Sequence, residues 1–265
     1  MALTHTAAEA LQTLDLIIDD RQIPDILCPF VFGADQAPPV DALRRNLRRS
    51  LDAVLLEVSE SRQFCYGDIC LQTNLFSRNF VRPLGGALLP WFRQLCSGRA
   101  IDEAIVQSAL ENLGEVGHRA DDQMVDLLRG IRMEIPGAEE VARTLDAMMS
   151  KLAGRWTVIG ALEAPGDDGA IMRNRRALNA TLERAARRCG AVFYNPTQMI
   201  MDHGRATVLD SGGADIHEYA PAFYPKVAET WVGLARRGRP PAKATSVDNS
   251  PTAPPAVSRS SRLLA

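Results

Sequence analysis

Trp156–Leu162 (WTVIGAL), Ile171–Cys189 (IMRNRRALNATLERAARRC) and Ala191–Tyr194 (AVFY) follow one another along the chain, which then runs through Asp215-Ile216-His217 into a last amphipathic stretch over 221–236. The first and third segments are short apolar runs rich in β-branched and aromatic residues, the pattern of strands buried on both faces. The segment between them repeats its apolar residues at helical spacing. Strand, helix, strand in that order predicts parallel pairing through a right-handed crossover. In an open parallel sheet, ligands meet the carboxyl ends of the strands, and the acid and imidazole of Asp215 and His217 fall in the loop that would sit there.

Working outward, Asp52–Val58 (DAVLLEV) predicts another buried parallel strand, followed by the polar Ser59-Glu60-Ser61 and an irregular passage over 62–82. Helices are expected over 86–95, 101–113, 121–131 and 138–152, more than one crossover needs, so residues 86–152 read as a helical insertion. Near the start, Thr6-Ala7-Ala8-Glu9 is a capping-box pattern opening a helix through Leu11, Leu14, Ile17 and Ile18. Ile26–Phe32, punctuated by Pro24 and Pro29, reads as a short strand, and 40–50 as a helix. The expected architecture is therefore α/β: a three-layer, flavodoxin-like parallel sheet in one domain over 1–237. Residues 238–265 are rich in Pro, Ser and Ala with few large apolar residues, so a disordered tail is expected.

The 265 residues carry a formal net charge of -2 and a pI of about 6.1, which gives no electrostatic reason for a nucleic-acid partner. The clusters Arg44, Arg45, Arg48, Arg49 and Arg184, Arg187, Arg188 recur at helical spacing and read as solvated faces, or as a patch for phosphate or an acidic glycan. Five cysteines, Cys28, Cys65, Cys70, Cys96 and Cys189, are an odd and scattered set suited to reduced thiols. Cys65 and Cys70 lack the second ligand pair that a structural zinc needs, so no metal is expected. Gly85-Gly86 and Gly212-Gly213 match no phosphate-binding loop, and no cofactor is expected. No secretory signal or bilayer-length apolar stretch is present, so the expectation is a cytoplasmic protein without a membrane span. Oligomeric state is not legible.

An imidazole becomes a general base when a carboxylate fixes its tautomer, and Asp215 and His217 offer both groups; the same loop is also compatible with a capping or solvent-facing histidine. Pro165-Gly166, the arginines Arg173, Arg175 and Arg176, the strand end Phe193-Tyr194-Asn195-Pro196 and the acid-histidine loop together resemble the carboxyl-terminal half of the SGNH/GDSL hydrolase superfamily, including its bacterial polysaccharide-associated members. DAVLLEVSES and Leu71-Gln72-Thr73-Asn74 resemble its first half. The resemblance implies an esterase or acyltransferase acting on an acylated saccharide, with His217 as base and Asp215 as its partner. One residue separates the two here, where the family has two, and Glu218 stands at the family's histidine spacing. No strand ending in the family's nucleophile turn appears before residue 50, as though that strand were missing, which would leave the chain inactive.

Ser59 and Ser61 are the serines at the end of a predicted strand, and Asn74 is the nearest oxyanion donor; strand-to-loop turns favour the same residue types. His5, His118 and His203 read as structural or solvent-facing. Alternatives to an enzyme are a non-catalytic glycan-binding relative and a scaffold protein of a polysaccharide-modification system that uses the 86–152 helices and the tail.

Overall fold

The computed structural model describes residues 4–47, 51–163, 173–213 and 218–237. In chain order the elements are helices α1 (Ala7–Asp19), α2 (Cys28–Val31) and α3 (Asp41–Leu47), strands β1 (Ala53–Glu57), β2 (Gln63–Tyr66) and β3 (Ile69–Leu71), and helices α4 (Thr73–Phe76), α5 (Leu89–Cys96), α6 (Glu103–Glu115) and α7 (Asp122–Gly130). Strand β4 (Ile131–Glu134), helix α8 (Ala138–Lys151), strand β5 (Arg155–Ile159), helix α9 (Arg173–Cys189) and strand β6 (Val192–Tyr194) follow. Helices α10 (Thr197–His203), α11 (Arg205–Val208), α12 (Asp210–Gly213) and α13 (Tyr224–Arg237) complete the described chain.

The molecule is α/β, and β1, β5 and β6 form a parallel sheet in that order with β5 in the centre. Alternation along β5 divides its side chains between two layers. Trp156 and Val158 join Leu56 and Val58 in a core closed by α1, α8 and α9, through Ala7, Val141, Leu145, Leu178 and Leu182. Helix α13 packs against β1 and β5, and Arg155 donates to the Arg236 carbonyl at its far end. A third cluster joins Leu162, Met199, Val208, Leu209, Phe223 and Val227 beyond the strand ends.

Between β1 and β5 the chain builds a second sheet, antiparallel, in the order β3-β2-β4. Its Phe64, Ile69, Leu71 and Ile131 enter an aromatic core with Phe30, Phe76, Phe80 and Trp91, in which Phe30 meets Phe76 edge-on at 5.9 Å. The passage over 62–82, expected to be irregular, thus contains a hairpin. Gly67 holds a φ of 61° in its two-residue turn, a conformation that favours glycine. The expected helix over 121–131 hands over to β4, which pairs with β2. Ile26–Phe32 is helical instead of extended: a 3₁₀ turn at Asp25–Leu27 runs into α2, where Pro29 occupies the first turn, the helical position that tolerates a missing N–H. The predicted disordered tail, 238–265, lies outside the described residues.

Beyond the end of β5 a polar network joins three elements. Asn179 of α9 accepts from the Ala161 amide at 2.8 Å, donates to the Ala161 carbonyl at 2.8 Å and donates to Glu163 Oε1 at 2.7 Å. Asn195 adds a donation to the same oxygen at 2.9 Å, and Thr197 Oγ1 accepts from the Glu163 amide. Gly160 is required beneath it, because a Cβ there would run into the Asn179 amide. Asn179 is 3% exposed, so truncation strands a backbone donor and acceptor away from water. Asn179→Ala is expected to lower unfolding stability by about 2–4 kcal/mol in urea titration. A loss below about 1 kcal/mol would show that the network does not hold the strand end.

Candidate functional site

The carboxyl end of β1 meets the amino end of α1. Thr6 caps α1 in extended conformation and its Oγ1 accepts from the Glu9 amide at 3.1 Å, as the capping-box pattern predicts. The reciprocal arm lands one residue early: Glu9 Oε2 accepts from the backbone N–H of His5 at 2.8 Å. The carbonyl of His5 accepts from both Ser59 and Glu60, at 3.0 and 3.1 Å. His5 is thereby fixed at its amide and its carbonyl, and its imidazole meets Ser59, Nδ1 lying 3.1 Å from Oγ.

On the other side of the ring, His5 Nε2 lies 3.4 Å from the Asn74 amide group. Asn74 stands in the first turn of α4, which Gln72 caps by accepting from the Leu75 amide. The three side chains constrain one another. If Ser59 donates to Nδ1, then Nε2 carries the proton and needs an acceptor, which the Asn74 carbonyl oxygen supplies on a half-turn of its amide. A serine hydroxyl against one imidazole nitrogen, with an amide orienting the other, is a nucleophile-and-base arrangement in form.

Burial, more than the surrounding charges, sets the state of the ring. Burial draws His5 below the usual histidine range, and the nearby Glu60 carboxylate opposes this only in part. Burial pushes Glu60 upward, yet the guanidinium and backbone amide of Arg62 and the amide of Ser61 hold it below the ordinary carboxylate range. Arg175, drawn down by burial and supported by Glu60, donates to the Leu162 carbonyl at 2.9 Å, which connects the β5 network to this strand end. A cavity of about 170 Å³ opens beside it, lined by Val58, Glu60 and Ser61 and floored by Val141, Leu178 and Leu182.

Of the residues singled out in the sequence, Ser59 and Asn74 converge on His5, while Ser61 lines the neighbouring cavity and its amide donates to Glu60. Asn74 faces the imidazole where an oxyanion donor was expected. Asp215 and His217 lie outside the described residues. The chain resumes at Glu218 and Tyr219; burial and the nearby Glu57 and Tyr194 raise the Tyr219 phenol. Glu57 and Tyr194 flank Ile159 on one rung of the parallel sheet, so Tyr219 lies near the strand ends. His118 is exposed, and His203 stacks edge-on against Phe223. His5, expected to be structural or solvent-facing, meets a partner 54 residues away; the capping box beside it was the available signal. Among the described residues no group of side chains suits a metal ion, and no helix is long and apolar enough to cross a membrane.

Glu9 is 4% exposed, and its Oε1 has no hydrogen-bond partner among the described residues. Burial pushes its carboxyl up to about 7, against the opposing hydrogen bonds from His5 and Thr6. A carboxyl raised on folding stabilises the fold fully below its unfolded value, 4.5, and that contribution is lost as pH climbs through about 7. Wild type is expected to lose up to about 3 kcal/mol relative to Glu9→Gln between pH 4 and 8. Parallel stability curves from urea titration at each pH would refute the assignment.

The chain matches the family described as the TviD N-terminal domain over residues 1–234. It is 25% identical over 226 residues to the Vi polysaccharide biosynthesis protein TviD of Salmonella typhi, covering 83% of this chain and 26% of that protein. The chain thus spans about a quarter of the length of the curated relative it matches. No solved structure matches it.

Proposed function

The chain belongs to the family of TviD N-terminal domains, and from that premise we propose that it serves polysaccharide biosynthesis as a serine-dependent acyl-transfer or ester-cleaving domain acting on an acylated saccharide. The polysaccharide context is supported by the relative's name. The chemistry is supported by one observation above all: Ser59, just past the first parallel strand, has its Oγ 3.1 Å from the Nδ1 of a half-buried imidazole.

In this reading His5 takes the Ser59 proton as Oγ attacks the acyl carbonyl, then returns it to the departing oxygen. Water or a saccharide hydroxyl attacks the acyl-serine in the second half, with His5 again accepting the proton. Asn74 holds the ring in the tautomer that leaves Nδ1 free to accept. Burial prepares the base, because an imidazole below the usual range is unprotonated at neutral pH.

A second reading has its own support. Tyr219, two residues beyond His217, lies close to Glu57, two residues before Ser59. In that reading His217 is the base with Asp215 as its partner, and His5 only steadies the hydroxyl.

Turnover of a short-chain p-nitrophenyl ester separates the two. Ser59→Ala is expected to reduce kcat/KM at least about 100-fold, and His5→Ala by about 10²–10⁴-fold. The acidic limb of the pH–rate profile should fall below 6.5, the ordinary histidine value. Full loss in His217→Ala with His5→Ala active selects the second reading. Unchanged turnover in Ser59→Ala rejects Ser59 as the nucleophile, and no turnover by the wild-type chain leaves a non-catalytic glycan-binding role.

A further inference from the structure

The two cysteines of the β2–β3 hairpin are built as a pair. Cys65 and Cys70 stand directly opposite one another across the hairpin. Their rung is one in which the backbones do not bond to each other: the Cys70 amide donates to Gln12 Oε1 at 2.8 Å, and its carbonyl accepts from Gln12 Nε2 at 2.9 Å. At such rungs the Cα atoms approach to about 4.5 Å with the side chains on one face, within the separation a disulfide spans. Both cysteines are buried, 3% and 7% exposed, and both are free thiols. They lie on the opposite face of the hairpin from Phe64 and Leu71, outside the aromatic core.

The surroundings are polar in a way a packing pair does not need. Gln63 donates its side-chain amide to Cys65 Sγ at 3.2 Å, and Arg132 of β4 is the residue opposite Cys65 on the other flank. Cys70 lines a cavity of about 140 Å³ between α1 and the segment over 31–43, together with Glu9 and Gln12. That cavity gives a small molecule a path to the dithiol.

We propose that Cys65 and Cys70 form an oxidation site, a dithiol that small hydroperoxides convert to an intramolecular disulfide. The Cys65 sulfur attacks one peroxide oxygen; the O–O bond breaks, the other oxygen leaves as water or alcohol with a proton, and Cys65 becomes a sulfenic acid. The Cys70 sulfur then attacks the Cys65 sulfur; the S–S bond forms, the S–O bond breaks, and hydroxide leaves as water with the Cys70 proton. Two electrons pass from the thiols to the peroxide. The division of roles agrees with the thiol–thiol hydrogen bond, which draws Cys65 down, helped by Gln63, and pushes Cys70 up.

The reduced full-length chain, exposed to hydrogen peroxide, alkylated and digested with trypsin without reduction, decides this. Both cysteines fall on the single tryptic peptide 63–78. That peptide is expected to escape alkylation and to lose about two mass units, to recover both thiols in dithiothreitol, and to form while Cys28, Cys96 and Cys189 stay alkylated. In Cys70→Ser, Cys65 should be trapped by dimedone as its sulfenic acid; wild-type mapping alone suffices if that variant does not fold. Full alkylation of Cys65 and Cys70 after other cysteines have oxidised, or sulfinic acid at Cys65 with Cys70 free, overturns the proposal.

Discussion

One carbonyl oxygen, that of His5, accepts two backbone amides, those of Ser59 and Glu60, and this shared acceptor ties the start of α1 to the end of β1. Past Glu57 the strand ladder stops supplying partners, with Val58 still bonded to Ile159 and the next two amides needing an acceptor. The residue just before the cap of α1 supplies it. Everything at the candidate site inherits its position from that junction: the imidazole is held because its backbone is held, and Ser59 is held because the same bond fixes its amide.

The junction also explains the uneven fates of three neighbouring acids. Glu163 accepts from two asparagine side chains and lies near Arg176. Glu60 is ionised because Arg62 and two backbone amides converge on it. Glu9 faces inward from the first turn of α1 with one oxygen unpartnered and no cation beside it among the described residues, so protonation is the cheaper way to bury it. Its place is set by the capping box rather than by charge, and the helix start that positions His5 is thereby coupled to a proton.

The legible part of this molecule is the part governed by local pattern. DAVLLEV, WTVIGAL and AVFY announce buried parallel strands, and each appears within a few residues of its expected bounds. Thr6 and Glu9 announce a helix start, and Thr6 is the cap. Ser59 was visible as a strand-end serine and Asn74 as an amide in the right region. The hairpin is carried by Gly67-Asp68 between Phe64-Cys65-Tyr66 and Ile69-Cys70-Leu71, a turn signal between alternating runs that the expectation of an irregular passage left unused. His5 escaped for a different reason. Its partners lie 54 and 69 residues away, and only the long excursion through the second sheet returns Asn74 to the strand end.

Arg62 bears on His5 through Glu60, without touching the ring. An unneutralised Glu60 carboxylate beside a half-buried imidazole would favour the imidazolium and raise the ring back toward or past its ordinary value. Arg62 folds back on Glu60 through its guanidinium and its own amide, which leaves burial as the larger influence on the ring and keeps it unprotonated. With a neutral residue in place of Arg62, the Glu60 carboxylate would draw the ring upward more strongly. The sequence Glu60-Ser61-Arg62 is therefore more than a polar strand terminus: it places a carboxylate and its neutralising cation two residues apart, beside the imidazole of His5.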